Sequence, residues 1–179
     1  MTALDDNWGV LDVRDAVQAA SWLGDNKYCD KSKMAIDGGS AGGYTVLSVL
    51  WQSTVFAAGC SLYGISDLAR LAYDTHKFES QYLFKLVGGT PEEKPEIYHD
   101  RSPLNFAKDI KSPVMIQQGT EDRVVPLNQA EKMVKEVQSV GGIVEFLVFK
   151  GEGHGFKGEK AQRQSLESET QFFEKYLKL

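Results

Sequence analysis

The five residues Gly38-Gly39-Ser40-Ala41-Gly42 constrain this chain more than any other segment. They follow a short apolar run at residues 33–37, centred on Met34-Ala35-Ile36, and precede a pattern that reads as helix over 41–52. A strand that passes into a helix through so short a turn brings the two backbones very close. Gly38, Gly42 and Gly43 supply the room. Ser40, at the apex, is then held in a strained conformation with its hydroxyl above the carboxyl edge of a sheet. A glycine-rich turn can instead cradle phosphate, but a phosphate loop places a lysine near its end, and here Tyr44 and Thr45 follow. The turn therefore predicts a nucleophilic serine, with the N–H of Ala41 at the helix start aimed at a developing oxyanion.

The chain around this turn alternates between strand and helix. Val10, Val13, Val17, Ala20 and Leu23 recur at helical spacing within residues 7–25, after the capping candidates Asp5, Asp6 and Asn7. Strands are predicted at 56–63, 113–118 and 144–149, and helices at 127–140, stopped by Gly141-Gly142, and 160–177. Strands separated by helices imply right-handed crossovers and an α/β fold, a parallel sheet flanked by helices. Residues 64–111, with Pro91, Pro95 and Pro103, read as a helical or irregular excursion, more a lid than a core unit. No repeat, low-complexity tract or linker divides the chain, so residues 1–179 are expected to be one domain.

A serine hydroxyl is too weakly acidic to attack unaided, so a base must come from elsewhere in the chain. Three histidines are present. His154 lies in Gly151-Glu152-Gly153-His154-Gly155-Phe156, directly after the last strand, where glycines let the backbone carry an imidazole over the sheet edge. His76 and His99 fall in the charged excursion and are expected at the surface. The orienting acid belongs after the third strand, in Gly119-Thr120-Glu121-Asp122-Arg123. Asp122 is assigned that part, with Glu121 the competing carboxylate. Ser40, Asp122 and His154 thus stand in the order nucleophile, acid, histidine, each just after a strand.

Composition removes other classes. The net charge is −5 and the charges are spread along the chain, which argues against nucleic acid or an anionic membrane as the main partner. No apolar stretch is long enough to span a bilayer, and the first residues lack a signal-peptide layout. Cys29 and Cys60 form neither a disulfide framework nor a metal cluster, so free thiols and a cytoplasmic setting are expected, with no cofactor or metal.

Together, Trp8-Gly9 with Asp12 and Asp15, the segment Gly38 to Tyr44, Gly119 with Asp122 and Val124-Val125-Pro126, and Gly153-His154-Gly155-Phe156 resemble the catalytic domain of the prolyl oligopeptidase family of serine peptidases. The resemblance covers nearly the whole chain and implies an α/β-hydrolase that cleaves short peptides through an acyl-enzyme, often behind an N-terminal β-propeller. It further implies that Tyr63 and Val125 help wall the pocket for the side chain before the cut. Such a domain has about eight strands, so the sheet half preceding Trp8 is missing, and with it the loop that supplies the second oxyanion donor. Loss of one donor costs ~10²–10³ in rate. The expectation is therefore the C-terminal part of a longer enzyme, with reduced or no activity alone. A small-ester carboxylesterase or dienelactone-type hydrolase shares this chemistry, and a non-catalytic binding module could share the fold. Oligomeric state and the choice between exo- and endopeptidase stay open.

Overall fold

The structure, a computed structural model, describes residues 3–74 and 77–179, and of residues 77–80 the backbone alone. Four strands, β1 (Ala35–Gly39), β2 (Ala58–Leu62), β3 (Val114–Gly119) and β4 (Val144–Phe149), form a wholly parallel sheet in the order β1-β2-β3-β4. The helices are α1 (Leu11–Asp25), α2 (Ala41–Gln52), α3 (Leu68–Asp74), α4 (Lys77–Val87), α5 (Pro95–Asp100), α6 (Leu127–Ser139) and α7 (Glu159–Leu177). Each strand's alternation assigns its side chains to two layers. Ile36, Val114, Ile116, Val144 and Phe146 pack with α2 and α6, and with Val13 and Ala20 of α1. Ala58, Cys60, Met115 and Leu147 meet Phe172 and Leu177 of α7 on the other face.

Small residues let α2 lie flat on the sheet. A side chain at Gly59 of β2 would overlap Leu50 and Val46 of α2, and Ser61 Oγ donates to the Gly43 carbonyl at 3.1 Å. The elements expected from the sequence are present, with shifted ends. The first helix begins at Leu11 rather than residue 7. Gly9 turns the chain with φ 83° and donates its N–H to Asp12 Oδ1 at 2.7 Å, while Trp8 is drawn into an apolar cluster, so residues 7–10 form turns. None of Asp5, Asp6 or Asn7 caps the helix, because Val10 occupies that position. β1 starts at Ala35, two residues late, because Lys31–Lys33 makes a 3₁₀ turn closed by Asp30, which accepts the Ser32 N–H at 2.9 Å.

Residues 64–111 divide their packing. Leu68, Leu71, Leu83, Leu86 and Tyr98, from α3, α4 and α5, gather with Trp8, Tyr44 and Val125. Ala107 and Ile110, at the 3₁₀ segment Pro103–Asp109, instead join the core between α2 and α6. Both cysteines are free, Cys29 exposed and Cys60 buried, and no described helix is long and apolar enough to cross a membrane.

Two glycines of the turn, Gly42 and Gly43, differ in what they tolerate. A Cβ at Gly43 would lie 2.7 Å from Gly64 Cα and 2.8 Å from Ser61 Oγ, whereas one at Gly42 would meet nothing within 4 Å. Gly43→Ala is expected to cost ~1–3 kcal/mol by overpacking. Gly42→Ala should leave stability unchanged or raise it by up to ~1 kcal/mol through helix propensity. Thermal unfolding of the two variants checks this, and equal losses would contradict it.

Candidate active site

β1 ends in the turn that carries Ser40. Its backbone sits at φ 56° and ψ −117°, a conformation that costs ~1–3 kcal/mol unless its surroundings enforce it. They do so through two hydrogen bonds: the Ser40 N–H donates to the Leu62 carbonyl at 2.9 Å, and the Ser40 carbonyl accepts from the Tyr44 N–H at 3.0 Å. Gly38 completes the turn, since a Cβ there would lie 2.7 Å from the Gly42 carbonyl carbon. Ala41 opens α2, so its N–H belongs to the first turn, which has no intrahelical acceptor.

The loop after β4 carries His154. Glu152 ties this loop down with both of its ends. Its carboxylate accepts the N–H groups of Lys157 at 2.7 Å and Gly158 at 3.1 Å, and its carbonyl accepts the Glu121 N–H at 2.9 Å. Gly119 must be glycine for this approach, because a side chain would overlap the Glu152 carbonyl. Gly151 adds a hydrogen bond to Thr120 Oγ1 at 2.9 Å. The loops that hold acid and histidine are thereby fastened to each other.

Ser40, His154 and Asp122 come together in one hydrogen-bonded chain. His154 Nε2 is 2.8 Å from Ser40 Oγ, and His154 Nδ1 is 2.8 Å from Asp122 Oδ2. An ionised carboxylate can only accept, so Nδ1 carries the hydrogen and Nε2 presents its lone pair to the serine hydroxyl. The Asp122 side chain is 0% exposed and that of His154 25%. Asp122 Oδ1 accepts the N–H groups of Val124 at 2.9 Å and Val125 at 2.8 Å. Burial pushes the Asp122 carboxyl upward, but hydrogen bonds from His154 and Val125, the charge of His154 and the Val124 N–H outweigh it. The result is a pKa below the ordinary carboxylate value.

The other sequence candidates fall around this chain or outside it. Glu121 is exposed and engages Glu152 through its main chain. His99 is on α5, exposed and paired with Asp100 at 3.0 Å, and His76 lies outside the described residues. The Tyr63 ring stands edge-on to the His154 ring, with centroids 4.8 Å apart, and packs on Phe156. Val125 is fully buried beside Tyr44 in the apolar cluster, and its neighbour Val124 lines the cavity next to Ser40 instead. Among the described residues, no three His, Cys, Asp or Glu side chains come together to hold a metal ion.

That cavity, of about 330 Å³, opens beside Ser40 and Ala41 and is lined by Leu4, Trp8, Ile65, Leu71, Leu83 and Leu86, among others. Trp8 is clamped in place. Its N–H donates to the Leu86 carbonyl at 3.3 Å, its carbonyl accepts from Arg101 Nη1 at 3.1 Å, and its ring lies 4.4 Å from that of Tyr44. Tyr44 in turn donates to the Arg101 carbonyl at 2.8 Å. The sequence reading missed these wall residues, although Leu68, Leu71 and Ala72, and then Leu83, Leu86 and Val87, repeat at helical spacing inside the excursion. It also missed Gln118 and Glu152, whose polar groups act on the two loops from within.

Comparisons with known proteins identify the family and the fold. The family model described as the prolyl oligopeptidase family matches residues 1–179. Over 153 residues the chain is 31% identical to dipeptidyl peptidase family member 6 of Caenorhabditis elegans, covering 82% of this chain and 20% of that protein. The solved structure of a Mycobacterium tuberculosis puromycin-hydrolyzing peptidase superposes with a TM-score of 0.93 at 43% identity, over 97% of this chain and 26% of its own. An acylaminoacyl peptidase of Pyrococcus horikoshii gives a TM-score of 0.87 at 26% identity, over 98% of this chain and 29% of its own. The chain thus spans less than a third of the length of each. With an α/β-hydrolase sheet and a family match along its whole length, the chain belongs to the prolyl oligopeptidase family of serine peptidases.

Proposed function

We propose that Ser40, His154 and Asp122 hydrolyse short peptides through an acyl-enzyme on Ser40. The observation that carries this reading is the imidazole of His154, hydrogen-bonded at one nitrogen to a serine hydroxyl and at the other to a buried carboxylate, at 2.8 Å each. Ser40 Oγ attacks the scissile carbonyl while Nε2 takes its proton. Negative charge moves to the carbonyl oxygen, where the Ala41 N–H and the α2 dipole favour it. The intermediate collapses as His154 passes the proton to the leaving nitrogen, which leaves an ester on Ser40. Water then attacks that ester, gives its proton to Nε2, and the same proton returns to Ser40 on release of the acid. Asp122 stays ionised throughout, orients the ring and stabilises the imidazolium.

The apolar cavity beside Ser40 supports an apolar side chain next to the scissile bond, since its lining holds no charged group among the described residues. Tyr63, against the His154 ring, would border the site on the loop after β2, and Val125 would act from behind Val124. The excursion at 64–111, which contributes Ile65, Leu71, Tyr82, Leu83 and Leu86 to this wall, fits a lid-like role. The relatives' greater length supports further domains such as a β-propeller in the whole protein, and the place of β1 at the sheet edge among the described residues supports further strands.

In the full-length protein, Ser40→Ala and His154→Ala are each expected to lower kcat for aminoacyl or dipeptidyl anilides by at least ~10⁴-fold. The melting temperature should hardly move for Ser40→Ala but should fall for His154→Ala, which takes one donor from the buried Asp122 carboxylate. Preferential turnover of short acyl esters by the unmutated protein would favour the small-ester reading instead. Asp122→Asn should cost ~10⁴-fold by favouring the wrong imidazole tautomer. The lowered Asp122 pKa also fixes a stability difference between wild type and this variant. That difference is fully present above the ordinary value of 3.8 and shrinks as pH falls through the lower folded value. Unfolding titrations at neutral and acid pH measure it, and a constant difference would contradict the assignment.

A further inference from the structure

Gln118, the penultimate residue of β3, is fully buried and has no part in the steps above. Its Nε2 donates to Asp122 Oδ2 at 3.0 Å and to the Val125 carbonyl at 2.9 Å. Both partners only accept, so the amide has one sensible orientation, because turning it over would set Oε1 against two oxygens. In this orientation Oε1 finds no partner among the described residues. Packing alone does not favour such a side chain, since a methionine would fill the same space without a stranded polar atom.

We propose that Gln118 is a positioning residue for His154, acting by fixing the plane of the Asp122 carboxylate and sharing Oδ2 with the imidazole. This inference rests on the hydrolase reading above. A carboxylate can rotate about its Cβ–Cγ bond. The N–H groups of Val124 and Val125 hold Oδ1, and Gln118 holds Oδ2, so rotation is blocked from both sides. Oδ2 then faces His154 Nδ1 at 2.8 Å and keeps the tautomer whose Nε2 faces Ser40. A second donor on Oδ2 also withdraws charge from the oxygen that meets the imidazole, and so moderates how strongly Asp122 stabilises the imidazolium. Among the described residues, Asp122, the Ser40 hydroxyl and Tyr63 are the titratable groups the structure places against His154. Through the Val125 carbonyl, Gln118 also closes the turn that presents Val124 to the cavity.

Two variants of the full-length protein separate this role from packing. Gln118→Met keeps the volume and removes the donor, and Gln118→Glu donates only while its carboxyl is protonated. The His154 titration is followed by NMR of histidine-labelled protein, with its resonance assigned by loss in His154→Gln, beside kcat and KM against pH. In Gln118→Met the His154 midpoint should rise, and kcat should fall by about tenfold or more with KM nearly unchanged, the size of effect known for outer partners at metal centres. Gln118→Glu should lose activity as pH rises through ionisation of the new carboxyl, and this variant decides alone if Gln118→Met does not fold. An unmoved His154 titration in Gln118→Met, or a wild-type pH profile in Gln118→Glu, overturns the proposal. Loss of kcat with a lower melting temperature and an unmoved midpoint also overturns it, as packing only. A wild-type protein that hydrolyses nothing while its His154 midpoint still moves in Gln118→Met overturns the hydrolase reading, and not the hydrogen-bond relay.

Discussion

The contact between the first turn of α2 and the carboxyl ends of β1 and β2 determines most of what this molecule can do. Gly38 meets the Gly42 backbone and Gly43 meets Gly64, distances that leave no space for a Cβ. Only because α2 starts so close to the strands is Ser40 forced to φ 56°, out of the helix and above the sheet edge. The same closeness makes Ala41 the first residue of α2, so its N–H lies at the positive end of that helix. A looser packing would relax the turn and lose both features together.

Electrostatics at the opposite side of the site follow a parallel logic. A carboxylate shielded from water must be repaid with donors, and Asp122 accepts from two backbone N–H groups, from Gln118 and from His154. Those donors come from the end of β3, the turn after it and the loop after β4, so the charge on Asp122 binds three segments into one unit. Glu152 does the same for the histidine loop, closing it on the residues before α7 and on Glu121. The rigid side of the site is thus built from strand ends and paired loops. The cavity wall joins that unit at Val124 and is otherwise built mainly from α3, α4 and the clamped turn around Trp8.

The sheet, its order of elements and the three residues of the hydrogen-bonded chain were legible in the sequence. Each rests on a local rule, an apolar run followed by glycines and a polar residue, that works without knowing the tertiary packing. The start of α1 was not legible, because Gly9 and the burial of Trp8 override a helical pattern that continues upstream. The cavity wall was hidden for a related reason. Its residues lie in helices whose apolar stripes read as ordinary core, and the choice between Val124 and Val125 depends on how the Asp122 turn closes. Gln118 reads as one polar residue in a buried strand, and only its distance to Asp122 gives it a purpose.

The central claim is that strand ends bring Ser40 and His154 together so that the serine becomes nucleophilic. Reaction of the full-length protein with a fluorophosphonate, followed by peptide mapping, tests it most directly. One adduct on Ser40, formed readily at neutral pH and greatly slowed in His154→Ala, is the predicted result. A folded protein that takes no adduct, or takes it at another residue, would contradict the account.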